Sequence, residues 1–111
     1  MGRGLRFARG EIVRVRLDPT VGSEMQKTRP CVVVSPDDLN AHLSTVIVVP
    51  LTSGSRDYSH RPTLARGRRI SHLATDQLRA VDRQRVVGRA GALTAAELEL
   101  LLQNLNEMFA P

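Results

Sequence analysis

The chain has 111 residues, enough for one domain and too few for two ordinary ones. With 41% hydrophobic and 24% charged residues it reads as a folded globular protein rather than a disordered one. Its longest apolar run, Val46 to Leu51, is far too short to span a bilayer. The net charge of +5 favours an anionic partner, and Lys27 is the one lysine beside fifteen arginines, whose planar forks grip phosphate bidentately. Aromatics are confined to Phe7, Tyr58 and Phe109, so binding by base stacking has few platforms. Cys31 stands alone, and His42, His60 and His72 are scattered, so neither a disulfide framework nor a zinc pattern is present in the sequence. These features describe a cytoplasmic protein without a structural metal or cofactor, in a single domain over residues 1–111 whose first nine residues form a flexible lead-in.

In chain order, Gly10 to Leu17 alternates Val13, Val15 and Leu17 against Arg14 and Arg16, the period of a half-buried strand. Asp18 to Arg29 is polar and turn-rich, a long loop. Pro30 opens a second strand over Cys31 to Ser35 and forces Arg29 into extended geometry. Ser35-Pro36-Asp37 predicts a short helix with proline at its first position, ending near Leu43. A third strand runs from Thr45 to Leu51, where Pro50 implies a sheet edge or a bulge. After a loop over Ser53 to Ser59, strands are expected around Arg61 to Ala65 and Ile70 to Val81, with Gly67 turning between them, and a last one over Val86 to Leu93. Thr94-Ala95-Ala96-Glu97 is a capping box, followed by Leu98, Leu101, Leu102, Leu105 and Met108 at helical spacing. Many short strands and one amphipathic helix suggest a small curled β-barrel with the helix across it.

Two polar clusters lie at strand mouths, where a rigid frame exposes side chains: Glu24 to Arg29, and Thr52-Ser53. By residue type alone they describe a basic β-rich domain and no particular activity. Asp37 and Asp38 are adjacent on a helix and do not share a face, so they are not a metal pair, and His60 has no second histidine to act with it.

A motif set goes further. Gly10-Glu11-Ile12-Val13, then Asp18-Pro19-Thr20-Val21-Gly22-Ser23-Glu24, Arg29-Pro30 and Val33-Val34-Ser35-Pro36 resemble the opening of the MazF/PemK (Kid) family of endoribonuclease toxins of type II toxin–antitoxin systems. Val49-Pro50-Leu51-Thr52-Ser53 and Asp76-Gln77-Leu78-Arg79-Ala80-Val81-Asp82-Arg83-Gln84-Arg85 are similar to later signatures of that family, and the likeness extends over about residues 9 to 108. It implies a mainly β, α+β fold: an SH3-like, partly open β-barrel with short helices and a C-terminal amphipathic helix, paired into a homodimer. It implies metal-independent cleavage of single-stranded RNA by 2′-hydroxyl attack, giving a 2′,3′-cyclic phosphate and a 5′-hydroxyl, and a MazE-like antitoxin as partner. The family's catalytic arginine, threonine and glutamate fall on Arg29, Thr52 and Glu24. Asp76 and Gln77 become candidates for reading base edges, and Ser53, Lys27 and Arg85 for contacts along the strand. Chemically, an arginine fork and a hydroxyl suit the charge that builds on a pentavalent phosphorus. Glu24 would take the nucleophile's proton, orient Arg29 or touch a nucleotide. Two rivals share the fold: a non-enzymatic toxin that poisons a protein, as the gyrase-targeting toxins do, and a catalytically silent RNA-binding barrel.

Overall fold

A computed structural model describes residues 6–17, 22, 27–53 and 61–111. Its elements in order are β1 (Glu11–Arg16), β2 (Thr28–Val33), α1 (Asp37–His42), β3 (Thr45–Thr52), β4 (Thr63–Arg66), β5 (Arg69–Leu73), β6 (Arg79–Asp82), β7 (Val86–Ala92) and α2 (Ala95–Met108). Short 3₁₀ turns fill Thr75–Gln77 and Arg83–Arg85.

All neighbouring strands are antiparallel, in the order β4-β5-β3-β2-β1-β7, with β6 beside β3 as well. β3 is the hub: β2 covers one edge, while β6 pairs with Thr45–Val48 and β5 with Leu51–Thr52 along the other. Only Arg83–Arg85 separates β6 from β7, which lies at the far side of the sheet beyond β1. So short a link between distant strands requires the sheet to curl, and the result is the expected partly open barrel, mainly β with short helices.

Side-chain alternation gives the curled sheet two apolar faces. One packs Val13, Val15, Leu17, Cys31, Val33, Val46, Val48 and Val81 around Phe7. The other carries Ile12, Val32, Val49, Leu51, Leu64 and Leu73 beneath Leu101 and Leu105 of α2. The predicted capping box holds: Thr94 Oγ1 accepts from Glu97 N at 3.2 Å, and Thr94 N donates to Glu97 Oε1 at 2.8 Å. Within the N-terminal stretch read as a loose lead-in, Phe7 is buried and Arg9 Nε donates to Val34 O at 2.7 Å, while residues 1–5 lie outside the described set.

Four local expectations need correction. β2 begins at Thr28, so Pro30 lies inside the strand, opposite Arg14. Pro36 is the N-cap of α1, one position before the helix proper. The stretch Ile70 to Val81 is not one strand but β5, a 3₁₀ turn and β6. Pro50 lies fully buried in the central strand rather than at an edge. A strand residue's N–H and C=O point the same way, and Pro50 O accepts from Ala74 N at 2.8 Å. Its missing donor therefore faces the break between β5 and β6, where no ladder bond is lost.

Candidate active site

The β2–β3 ladder is recorded as Val33↔Val48, Val32↔Val49 and Cys31↔Pro50. Arg29 and Thr52 each lie two residues beyond the last pair of that ladder, Cys31↔Pro50, so the two strands carry them toward the same end of the sheet. Both belong to the parity of Cys31 and Pro50, the sheet face away from α2. On its other side Arg29 is across from Val15 of β1, so the guanidinium stem is carried by a strand paired on a rigid frame. Arg29 and Thr52 are each half-buried, as a site at the mouth of a barrel requires.

The site extends beyond the two residues that the sequence singled out. Thr52 is directly across from His72 of β5, and His72 is across from Thr63 of β4. Thr52, His72 and Thr63 thus form one lateral row over three strands, and Val15 and Arg29 form a pair on β1 and β2. His72 is 8% exposed, and its Nδ1 lies 3.5 Å from Thr63 Oγ1. Sequence spacing gave no hint of this histidine, because its place depends on the β3–β5 register.

On β2 the Cys31 thiol is pushed up to about 12 by burial, against the pull of the Arg79 and Arg29 charges. A fully buried, protonated thiol is inert. Both arginines thus bring positive charge toward Cys31, a field suited to a phosphate. Arg79 was not among the expected site residues, although it falls in the Asp76–Arg85 motif.

Lys27 and Arg85 reach the same end of the sheet. Lys27 adopts φ 66° and its carbonyl accepts from Leu17 N at 2.9 Å, while Arg85 Nη1 donates to Arg16 O at 3.1 Å, and Arg16 is across from Thr28. Ser53 is exposed immediately after Thr52. Gln77 and Asp76 occupy the 3₁₀ turn that follows Pro50's partner Ala74. Asp76 is engaged: Arg61 grips its two oxygens at 2.7 and 2.8 Å, and that bond, with help from Gln77, holds the carboxyl near 2. An ionised carboxylate accepts only, and the Gln77 side chain is engaged with it as well. Glu24 and His60 lie outside the described residues. Among the described residues no group of three His, Cys, Asp or Glu side chains could hold a metal ion, and no helix is long and apolar enough to cross a membrane.

Comparison with known proteins identifies the family. The family profile of PemK-like, MazF-like toxins of type II toxin–antitoxin systems matches residues 8–109. The endoribonuclease toxin MazF of Escherichia coli K12 is 32% identical over 98 residues, which cover 87% of this chain and 88% of that protein. Among solved structures, MazF of Deinococcus radiodurans superposes with a TM-score of 0.82 at 24% identity, covering 93% of this chain and 96% of that one. A MazE–MazF complex from the same organism gives 0.76 at 20% identity, covering 95% and 96%. The chain belongs to the PemK-like, MazF-like toxin family.

Proposed function

From that membership we propose that the chain is an endoribonuclease toxin that cuts single-stranded RNA without a metal ion. The ribose 2′-hydroxyl attacks the adjacent 3′-phosphate, the P–O5′ bond breaks, and a 2′,3′-cyclic phosphate and a 5′-hydroxyl remain. The observation that supports this reading is the β2–β3 register, which carries Arg29 and Thr52 toward the same end and face of the sheet. An arginine fork and a hydroxyl there can both bond the equatorial oxygens of one phosphorane. DNA is refused because it lacks the nucleophile.

Glu24, in the same loop as Lys27 and close in sequence to Arg29, is the carboxylate assigned to orient the Arg29 fork. Asp76 and Gln77 are assigned to base edges, and Lys27, Ser53, Arg79 and Arg85 to the strand's phosphates. The partners are an antitoxin of the MazE kind, which membership of a toxin–antitoxin family requires, and a second copy of this chain. An acidic, largely disordered antitoxin tail would complement a chain of net charge +5 and fold on binding in the cytoplasm. Neither a protein-directed poison nor a silent RNA-binding barrel needs a guanidinium and a hydroxyl carried to the same end of one sheet face, so the Arg29–Thr52 pair favours cleavage over both.

The test is single-stranded RNA cleavage in EDTA. The parent protein should cut. Thr52→Val, which keeps the strand's shape, should lose about 100-fold or more in kcat, the usual effect of one transition-state donor. Activity that needs added divalent metal, or a Thr52→Val variant at the parental rate, contradicts the proposal.

A further inference from the structure

We propose that His72 is the general base of the reaction, taking the proton of the attacking 2′-hydroxyl on Nε2. The inference rests on the cleavage reading above and supplies the proton acceptor that an arginine, ionised to well above pH 12, cannot provide.

Three observations carry it. His72 is the cross-strand partner of Thr52, on the same sheet face and one strand beyond the Arg29–Thr52 pair. Its Nδ1 lies 3.5 Å from Oγ1 of Thr63, an exposed residue of β4, which fits a base held by an orienting hydroxyl. The ring itself is 8% exposed and adjoins Thr52, one of the two groups assigned to the phosphate. An imidazole suits the task because it exchanges protons near neutral pH.

The step balances as follows. With Nδ1–H donating to Thr63, Nε2 carries the lone pair and accepts the 2′-hydroxyl proton as O2′–P forms. P–O5′ breaks, and the 5′ oxygen takes a proton from solvent. The imidazolium then returns its proton to solvent, and no other reactant is consumed. The residues across from His72 on the strands packed beside it are Thr52 on one side and Thr63 on the other, and Arg29 is on β2, the strand beyond β3. The remaining charges at this end of the sheet are Lys27, Arg79, Arg85 and the Arg61–Asp76 pair.

The experiment is the pH dependence of kcat and KM for the full chain and its His72→Gln variant, on one RNA in EDTA, with melting temperatures measured alongside. The parent's kcat should rise with pH as the base becomes neutral. His72→Gln should lose about 100-fold or more in kcat with KM little changed, and the rise should disappear. Glu24→Gln should slow cleavage yet keep the rise. Thr63→Val, which retains the imidazole but removes its Nδ1 partner, decides the matter should His72→Gln melt below the assay temperature: kcat should fall with KM constant. A His72→Gln enzyme with the parental kcat or pH rise, a rise lost in Glu24→Gln instead, or a folded Thr63→Val with parental kcat each overturns the proposal. If the parent itself cuts nothing in EDTA, it is the cleavage reading that fails, and the two failures remain distinct.

Discussion

The two ends of the curled sheet treat their polar groups in opposite ways. At the closed end, Ser35 and Asn40 are both buried, and each finds partners within the protein. Ser35 Oγ donates to Asn40 Oδ1 at 2.5 Å and accepts from Ile47 N at 3.0 Å; Asn40 Nδ2 donates to Phe7 O at 3.0 Å and to Ser35 O at 2.9 Å. Arg83 Nη2 donates to Asn40 O at 2.8 Å, and the Phe7 ring lies under the Arg83 and Arg89 guanidinium groups at 5.8 and 4.9 Å. At the open end, Arg29 and Thr52 are half-buried, and His72 lies across from Thr52 with its Nδ1 3.5 Å from Thr63 Oγ1. A buried network fixes the chain, whereas half-buried polar groups on a rigid frame are placed to meet a ligand. Variants at the two ends should therefore separate rate from stability.

The largest effect is expected at the open end. Arg29→Ala should lower kcat about 100- to 1,000-fold, the range for one preorganised donor, with the thermal midpoint close to the parent's. A large drop in midpoint would make Arg29 part of the frame and blur the contrast. At the closed end, Asn40→Ala strands Ser35 Oγ and the Phe7 and Ser35 carbonyls. Chemical denaturation should show a loss of about 2–3 kcal/mol while activity per folded molecule stays parental. Reduced kcat in that variant would mean the two ends are coupled.

Two smaller effects sharpen the comparison, one in α2 and one in an ion pair near the open end. Thr94→Ala removes one half of the α2 capping box and should cost about 1 kcal/mol without touching RNA cleavage. The Arg61–Asp76 pair should contribute at neutral pH and lose that contribution in acid. Asp76 is held at about 2 by Arg61, below the ordinary carboxyl range near 3.9 of an unfolded chain. A depressed carboxyl stabilises the fold fully above about pH 4 and loses that contribution as pH falls through 2. Asp76 is 36% exposed, so solvent screening reduces the effect to about 1 kcal/mol. Asp76→Asn should lower stability by that amount at pH 7 and flatten the acid-induced loss between pH 4 and 2. An Asp76→Asn melting curve identical to the parent's at pH 7 would show the pair to be inconsequential.

Much of this architecture could be read before any coordinates, for physical reasons that differ by element. β1 announces itself because valines on one parity face a core and arginines on the other face water. α2 does so because its cap and its leucine period agree. Pro50 misled because a proline signals an edge only when its missing N–H would face a neighbouring strand. Here β3 changes partners at that residue, an event set by the distant 3₁₀ turn at Thr75–Gln77. Arg29 and Thr52 were found by motif, but their placement at one end of the sheet is a matter of register, and register follows from ladders rather than from spacing. His72 was invisible for the same reason. Gly67, at φ 61°, turns the β4–β5 hairpin so that His72 meets Thr52 on one side and Thr63 on the other. Asn40 on a short polar helix gave no sign that its side chain is buried, since that burial depends on Phe7 some thirty residues earlier.

The central claim is that an RNA 2′-hydroxyl is the nucleophile at the Arg29–Thr52 mouth. The direct measurement is the mass and end chemistry of fragments from a single-stranded RNA and from its twin carrying one 2′-deoxy sugar at the scissile nucleotide, both in EDTA. The account predicts a 2′,3′-cyclic phosphate and a 5′-hydroxyl from the first and no cut at that position in the second. Cleavage of the deoxy-substituted strand, or fragments with 5′-phosphate ends, would contradict it.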